Sequence, residues 1–186
     1  MSKKIILGLV GETGSGKDTV ADYIGKKYGV ELLRLSTPLK KTLSMLRGEV
    51  SKEDSLWLFN VLQDRFGEDV LHEAMRREIG NSDKEILCVN GLRMPVDEKF
   101  IRSFDDNYIL YVTADQKLRW TRAVDRAEKA DDKQTFEEFK KFEETAETER
   151  AIKDIGANAD FVIENNGTLE ELLANVDSVM NKILKK

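Results

Sequence analysis

Apolar residues along the chain alternate between short runs and longer stretches with helical spacing. The short runs have the composition of buried strands, and they are Lys3–Val10, Val30–Leu35, Glu85–Val89, Tyr108–Val112 and Asp160–Ile163. After each run comes a turn signal and then a stretch in which apolar residues recur every three or four positions, which predicts a helix. Strands that alternate with helices form a parallel sheet covered on both faces, so the sequence predicts an α/β fold.

The helical stretches divide the first half of the chain. The pattern predicts helices over Lys17–Tyr28 and Thr37–Arg47, the second with Pro38 in its first turn. Between Ser51 and Ile79 there is no strand signal, and apolar residues keep helical spacing, which predicts one or two further helices. These helices interrupt the regular alternation with strands.

Length and charge limit the classes of protein. A chain of 186 residues fits one domain, and 30 basic against 35 acidic side chains leave a net charge of −5. That balance argues against a nucleic-acid polymer as partner. No apolar run approaches the roughly 20 residues of a membrane span, and the first ten residues are too charged for a signal peptide. We therefore expect a cytoplasmic monomer or homodimer without a membrane partner.

One cysteine and one histidine restrict the metal chemistry. Cys88 is the single cysteine, so it cannot form an internal disulfide. With one cysteine and one histidine, His72, in the sequence, a zinc site is not expected. A bound metal is then held by oxygen. We interpret Cys88 as a buried apolar residue and His72 as a residue on a helix surface.

The segment Glu128–Glu149 is strongly acidic. It has nine acidic residues against four lysines, which gives −5. Such a run is usually the solvated face of a helix. The alternative interpretation is a mobile lid near residues 128–150.

A glycine-rich motif follows the first predicted strand. Gly11-Glu12-Thr13-Gly14-Ser15-Gly16-Lys17 matches the phosphate-loop pattern G-x-x-x-x-G-K, between a strand and a helix as that motif requires. Glycines let successive N–H groups converge on phosphate oxygens, and Lys17 reaches the terminal phosphates. The expected ligand is ATP or GTP. The residues expected to hold it here are Gly11, Thr13, Gly14, Ser15, Gly16, Lys17, Asp18 and Thr19.

Asp18 departs from the motif, which usually has Ser or Thr after the lysine to bind magnesium. The Asp18 carboxylate could offer an oxygen to Mg²⁺ while Thr19 donates to the α-phosphate. In the other interpretation Asp18 caps N–H groups at the start of the helix. We favour the metal role for Asp18.

The chain resembles the P-loop nucleoside monophosphate kinase superfamily, in particular the phage-type deoxynucleoside monophosphate kinases. Lys17–Ile24 (KDTVADYI) is similar to their GKDT-x-A-D-x-[LI] segment, and dephospho-coenzyme A kinases are similar too. Further similar segments are Leu35–Lys40 (LSTPLK), Asn90–Glu98 (NGLRMPVDE) and Phe161–Leu172 (FVIENNGTLEEL). Together they span most of the chain.

The resemblance implies a P-loop NTPase three-layer fold with a five-stranded parallel sheet in the order 2-3-1-4-5. Residues 1–186 would form a single kinase domain with a helical acceptor region near 36–80 and a lid near 128–150. The implied reaction is phosphoryl transfer from ATP, with Mg²⁺, to a nucleoside or deoxynucleoside monophosphate. Two alternatives stay open: a dephospho-coenzyme A kinase, and a weakly catalytic ATP-binding regulatory module.

The resemblance also implies roles for arginines. Arg93 would grip the acceptor monophosphate, although it could instead form a surface pair with Asp97 or Glu98. Arg119, Arg122 and Arg126 share a helix face, and three guanidinium groups on one face suit a polyphosphate. By resemblance Arg122 and Arg126 close over ATP, and the alternative is ion pairing along their own helix. With Lys17, the candidate catalytic residues are Arg93, Arg122 and Arg126.

Further positions could contact the two nucleotides. The acceptor region contributes Arg34, Lys40 and Arg65 as candidates, although polar residues there also serve solubility. By resemblance Asn166, in the turn after the last strand, lies against the adenine. The same turn is an ordinary Asn-Gly turn with Thr168 as a helix cap.

Asn90 stands where the resembled families usually carry Asp. Neutral Asn neither orients magnesium-bound water nor accepts a proton as well as Asp does. We therefore expect reduced activity, with Asp18 or Asp64 as possible substitutes, and an Asn90→Asp change that speeds turnover.

Overall fold

The computed structural model describes residues 4–48, 50–126 and 135–185, without the side chains of Lys52 and Arg126. The strands are β1 (Ile5–Val10), β2 (Glu31–Leu33), β3 (Ile86–Asn90), β4 (Asn107–Thr113) and β5 (Phe161–Glu164). The described helices are α1 (Lys17–Tyr28), α2 (Thr37–Arg47), α3 (Lys52–Phe66), α4 (Val70–Asn81), α5 (Pro95–Arg102), α6 (Gln116–Arg126), α7 (Phe136–Thr145), α8 (Glu147–Ala157) and α9 (Leu169–Leu184). Of the expected lid, residues 128–134 lie outside the described residues.

The five strands form one parallel sheet in the order β2-β3-β1-β4-β5, which confirms the predicted order. The central strand β1 pairs with β3 and β4, so that Leu7 lies opposite Cys88 on one side and Tyr108 on the other. Strands this apolar are buried on both faces. Cys88 is buried as expected, and burial raises the pKa of its thiol to about 12.

Helices cover the sheet on both faces, which gives the three layers that the sequence predicts. On one face α1 and α9 pack against the sheet through Val20, Ile24, Val176 and Met180. On the other face, residues of α4, α5 and α8 form a second core: Met75, Ile79, Phe100, Ile101, Ile152 and Ile155. This arrangement fixes the carboxyl ends of β1 and β3 at one edge of the sheet, where ligands bind in open α/β folds.

The insertion between β2 and β3 contains two helices after α2. Helix α3 ends at Phe66 and is capped by Gly67, whose φ of +94° favours glycine, and α4 begins at Val70. Strand β2 is shorter than predicted because it pairs with β3 over three residues only. None of the helices in the described ranges is long and apolar enough to cross a membrane.

The described part of the acidic segment forms two helices rather than one. Helix α7 ends where Ala146 adopts an extended conformation, and α8 begins at the next residue. Most acidic side chains there are exposed, but Glu143 and Glu149 are buried. The segment is therefore not a uniformly solvated face, since two of its carboxylates point into the protein.

Candidate active site

The phosphate loop connects β1 to α1. Gly14 and Gly16 have φ of +78° and +91°, a conformation that favours glycine, and a Cβ on Gly14 would collide with the backbone oxygen of Arg119. From the far side, the Asn165 amide donates a hydrogen bond to the Ser15 carbonyl oxygen at 2.8 Å. The loop is thereby held in one shape by α6 and by the turn after β5.

Lys17, the first residue of α1, is part of a polar cluster at the carboxyl end of β3. Its Nζ lies 2.9 Å from Asn90 Oδ1 and 3.2 Å from Asp18 Oδ1. Asn90 Nδ2 donates to the same Asp18 oxygen at 3.0 Å, and so does Arg34 Nη2 at 3.2 Å. One carboxylate oxygen therefore accepts from three donors, and Asn90 orients both Lys17 and Asp18.

Burial and charge shift the pKa values in this cluster. Burial lowers the pKa of Lys17 from its ordinary value; Asp18 opposes this effect, whereas the positive charges of Arg34 and Arg93 add to it. For Asp18, burial disfavours the ionised form, but the hydrogen bond from Asn90 and the charge of Lys17 outweigh it and lower the pKa. Asp18 is therefore ionised at neutral pH.

Two cavities meet at this cluster. A smaller one of about 140 Å³ lies over the phosphate loop, and its lining includes Arg93, Glu149 and Ile152. A larger one of about 730 Å³ extends from the cluster into the helical insertion. Both cavities are lined by Lys17, Asp18 and Arg93.

The larger cavity is positive at one end and apolar along its walls. Arg34 and Arg93 lie at the end near Lys17, whereas the amide of Gln63 is a neutral polar group in the lining. Apolar walls come from the segment after β2, from α2 to α4, and from the segment after β3 with the start of α5: Leu35, Leu39, Phe59, Leu71, Met94 and Val96. Such a cavity suits an anionic ligand with an apolar planar body.

The surface pair considered for Arg93 is not formed. Asp97 instead accepts hydrogen bonds from the backbone N–H groups of Arg93 and Met94, at 2.8 and 3.0 Å. The guanidinium of Arg93 has no ion-pair partner within the described ranges, so it is available to a ligand. The prediction that His72 lies on the helix surface is wrong, because its ring is buried and lies 2.8 Å from Asp97.

Several predicted site residues do not line either cavity. Arg122 donates to the carbonyl oxygen of Asn165 at 3.0 Å, and Asn166 accepts from the backbone N–H of Asp115 at 2.7 Å. Both therefore connect α6 or its start to the turn after β5. Lys40 and Arg65 are exposed. Arg126 ends α6, and its side chain lies outside the described residues.

Arg119 is not placed to face a polyphosphate, contrary to the interpretation of the shared helix face. Its guanidinium is buried and pairs with both oxygens of Glu143, and one of the two contacts is 3.0 Å long. The Arg119 Nε donates to the Ala114 carbonyl, and Gln116 donates to Glu143 at 2.9 Å. This pair connects α7 to α6 directly behind the phosphate loop. Nothing in the local pattern distinguished Arg119 from its neighbours.

Two buried carboxylates also line the cavity over the phosphate loop. Glu12 accepts a hydrogen bond from the Tyr111 hydroxyl, which with burial raises the pKa of Tyr111 to about 12. Glu149 has an oxygen without a hydrogen-bond partner. Burial, and then the negative charge of Glu143, raise the pKa of Glu149. Glu12 and Glu149 thus place two carboxyl groups in a cavity whose loop suits phosphate.

Replacing Glu149 with Gln is expected to tighten polyphosphate binding at pH 8 by about three- to tenfold, because it removes the negative charge that this buried carboxyl carries next to the phosphate loop when it is ionised. The measurement is calorimetric titration with ATP. Glu147→Gln, at an exposed position of the same helix turn, is the control and should change nothing. Equal or weaker binding by Glu149→Gln would contradict this interpretation of the cavity.

The same substitution should make stability less dependent on pH. The raised pKa means that the folded chain binds the Glu149 proton more tightly than the unfolded chain, so ionisation costs stability as pH rises above the ordinary value of 4.5. Glu149→Gln should therefore raise the free energy of unfolding at pH 8 and leave it nearly unchanged at pH 4. Urea denaturation at the two pH values checks this. A gain at pH 4 that equals the gain at pH 8 would contradict it.

The contacts of Asn90 reverse the expectation for Asn90→Asp. The substitution removes the N–H that Asp18 Oδ1 accepts and places a second carboxylate about 3.0 Å from it. We expect a several-fold lower turnover at neutral pH, measured as initial rate, rather than the increase predicted from the sequence. Asn90→Ala separates the two effects, since it removes the donor without adding charge. A faster Asn90→Asp protein would show that the carboxylate is tolerated there.

A cation at this site would need oxygen ligands from a bound phosphate in addition to those of the described residues. Among the residues that the structure describes, no cluster of three or more His, Cys, Asp or Glu side chains could hold one. Asp18 Oδ1 is saturated by three donors, whereas Oδ2 accepts no hydrogen bond within the described ranges. That second oxygen, with Thr19 beside it in the cavity lining, fits a cation shared with phosphate oxygens.

A phosphate-loop motif between β1 and α1, on a parallel sheet of order 2-3-1-4-5 with helices on both faces, makes this a P-loop NTPase three-layer fold. The structure superposes on TT1252 from Thermus thermophilus with a TM-score of 0.62 at 20% identity, over 96% of this chain and 97% of that one. It superposes on a shikimate kinase from Bacteroides thetaiotaomicron with a TM-score of 0.61 at 12% identity, over 96% and 98%. Identities this low show the fold alone.

The sequence is also similar to UPF0200 proteins. No family model matches the chain. It is 28% identical over 185 residues to a UPF0200 protein of Saccharolobus islandicus, and the alignment covers 98% of this chain and 95% of that protein. A UPF0200 protein of Methanothermobacter thermautotrophicus is 26% identical over 185 residues, with 98% and 92% covered.

Proposed function

We propose that the protein is an ATP-dependent kinase that phosphorylates a nucleoside or deoxynucleoside monophosphate. The observation that carries the proposal is that the cavity over the phosphate loop and the larger cavity share Lys17, Asp18 and Arg93. A donor phosphate in the first and an acceptor phosphate in the second would meet at these residues. Phosphoryl transfer consists mainly of such positioning together with charge stabilisation.

Each shared residue has a role in this reaction. Loop N–H groups and Lys17 hold the β- and γ-phosphates of ATP. Lys17 also stabilises the negative charge that develops on the transferred group. Arg93 grips the acceptor phosphate, and Arg34 contributes a second positive charge at that end of the cavity. Asn90 keeps Lys17 and Asp18 oriented before the ligands bind.

Magnesium fits Asp18, because its carboxylate has a lowered pKa, one of its oxygens accepts no hydrogen bond within the described ranges, and the residue lines the cavity over the phosphate loop. The cation, when bound, neutralises negative charge on the phosphates. Arg122, Arg126 and Asn166 are proposed to lie near the nucleoside half of ATP, between α6 and the turn after β5. Residues 128–150 are proposed as the lid over that nucleotide, attached at its described end by Arg119 and Glu143.

The shape of the larger cavity supports a nucleotide as acceptor. Its positive end matches a phosphate, its apolar walls match the faces of a base, and Gln63 offers a donor and an acceptor to a base edge. Lys40 and Arg65 are exposed and line neither cavity, and they are kept here as proposed acceptor contacts. The phage-type deoxynucleotide kinases, which the sequence resembles, use an acceptor of this kind.

A panel of acceptors tests the proposal. ADP release is measured with ATP and Mg²⁺ against each ribo- and deoxyribonucleoside monophosphate and against dephospho-coenzyme A, with Lys17→Ala as the blank. We expect one class of monophosphate to raise ADP release well above the acceptor-free rate. If dephospho-coenzyme A alone stimulates ADP release, then it is the acceptor and the proposed nucleoside monophosphate is not. Tight ATP binding without stimulation by any acceptor would overturn the kinase proposal.

A further inference from the structure

His72 is the one histidine of the chain, and it lies where the helical insertion meets the phosphate-binding edge. It belongs to α4, is 7% exposed, and lines the larger cavity together with Leu71. Its ring packs against Phe100 of α5, with ring centroids 5.1 Å apart. The residue is therefore enclosed between two helices rather than presented to solvent.

Asp97 joins His72 to the backbone that carries Arg93. Asp97 Oδ1 lies 2.8 Å from His72 Nε2, and Oδ2 accepts the backbone N–H groups of Arg93 and Met94 at 2.8 and 3.0 Å. Asp97 is 5% exposed, so water replaces none of these donors easily. A carboxylate oxygen accepts from a ring N–H, so we assign the ring proton in this contact to His72 Nε2.

These contacts connect α4 to the backbone of Arg93 through Asp97. The guanidinium of Arg93 has no ion-pair partner in the described part of the chain, so its position depends on its backbone, and that backbone is held by Asp97. Asp97 in turn depends on a donor from α4, a helix that walls the larger cavity. Loss of the His72 donor would leave a buried charge with two partners instead of three and loosen the turn that presents Arg93.

We propose that His72 is a positioning residue that fixes Arg93 through Asp97, so that α4 and the acceptor-phosphate arginine form one unit. This deepens the proposed function and rests on it for the role of Arg93. The contact itself can be tested without turnover. Phosphoryl transfer needs no imidazole, so His72 would act on binding and orientation rather than on a proton of the reaction.

Three variants separate positioning from general packing. His72→Leu fills the space without a donor, and His72→Gln offers an N–H near the position of Nε2. Arg76→Leu is the matched control. It removes a different polar contact from α4 to the end of α5, since Arg76 donates to Ser103 Oγ at 2.9 Å and lies over the Phe100 ring, and no contact with Asp97 is present among the described residues.

The first measurement is amide hydrogen exchange at Arg93 and Met94. We expect exchange about tenfold faster in His72→Leu, near wild type in His72→Gln, and unchanged in Arg76→Leu, because only the first loosens Asp97. Unchanged exchange in His72→Leu, or equal acceleration in Arg76→Leu, would overturn the proposal. If His72→Leu does not fold, His72→Asn, whose shorter amide cannot reach Asp97, takes its place under the same criteria.

The second measurement is the kinetic effect with whichever monophosphate the wild type accepts. His72→Leu should raise the KM for the acceptor about tenfold while the KM for ATP stays within about twofold, with rescue by His72→Gln. Equal changes in both KM values would overturn a role through Arg93. A wild type that phosphorylates no acceptor would overturn the proposed function, and the exchange experiment would still decide whether His72 fixes the Arg93 turn.

Discussion

Replacing Lys17 with Ala is expected to lower kcat/KM for phosphoryl transfer by about a hundred- to a thousandfold, the usual cost of removing one preorganised donor to developing charge. Lys17 is the residue common to the phosphate loop, the Asn90 cluster and both cavities. Its loss removes positive charge from the transferred group and leaves Asp18 with less neutralisation. Initial rates at saturating ATP, with the acceptor found in the panel, measure the effect.

Lys26→Ala is the control for Lys17, since Lys26 is exposed on the same helix and touches neither cavity. The lowered pKa of Lys17 gives a second signature. Its charge, and with it the rate, should begin to fall at a pH below the ordinary lysine value of 10.5. A Lys17→Ala protein with more than a tenth of the wild-type rate would contradict the role given to Lys17.

Replacing Glu143 with Leu is expected to lower the free energy of unfolding by about 3 to 5 kcal/mol, because it leaves the buried Arg119 guanidinium without its anion. Arg119 and Glu143 are 4% and 1% exposed, and the pair also accepts from Gln116. For a domain of this size the loss corresponds to a melting temperature lower by roughly 6 to 20 °C. Urea and thermal denaturation measure it.

Glu144→Leu is the matched control, because Glu144 is the exposed neighbour of Glu143 on α7. It should change stability by less than about 0.5 kcal/mol. The double variant Arg119→Met with Glu143→Leu removes both charges, and we expect it to recover much of the loss. A Glu143→Leu protein as stable as the Glu144→Leu control would show that Arg119 finds solvent or another partner.

The fold could be predicted from the sequence because its signals are local. A strand such as β1 is a continuous apolar run that ends at Gly11, and the spacing after Lys17 is helical. Strand order could not be read from these runs, and it came from the resemblance. The length of β2 depends on how many residues β3 can pair with, which no local pattern records.

The phosphate loop was also a local signal, since glycines at fixed spacing are needed for its shape. The contacts that complete the site join distant positions: Asn90 with Lys17 across 73 residues, and Arg119 with Glu143 across 24. Neither pair has a sequence signature. A charged residue in an acidic run predicts exposure on average, and Glu143 departs from that average because one buried guanidinium stabilises it.

His72 is another residue whose surroundings could not be predicted from the sequence. A polar residue on a helix predicts an exposed position, yet the helix spacing placed His72 on the face of α4 that meets α5. Its partner Asp97 sits three residues beyond Met94 in the sequence, where an acidic side chain at a helix start predicts a cap. The cap could be predicted, but the histidine that completes it could not.

The most direct test of the account is transfer of label from [γ-³²P]ATP. The wild type is incubated with Mg²⁺ and the monophosphate that stimulates ADP release, and the products are separated by thin-layer chromatography. If the two cavities meet at Lys17, Asp18 and Arg93 as proposed, the label should appear in the acceptor diphosphate in amounts equal to the ADP formed, and Lys17→Ala should form neither. Label found only in inorganic phosphate would contradict direct transfer between the two cavities.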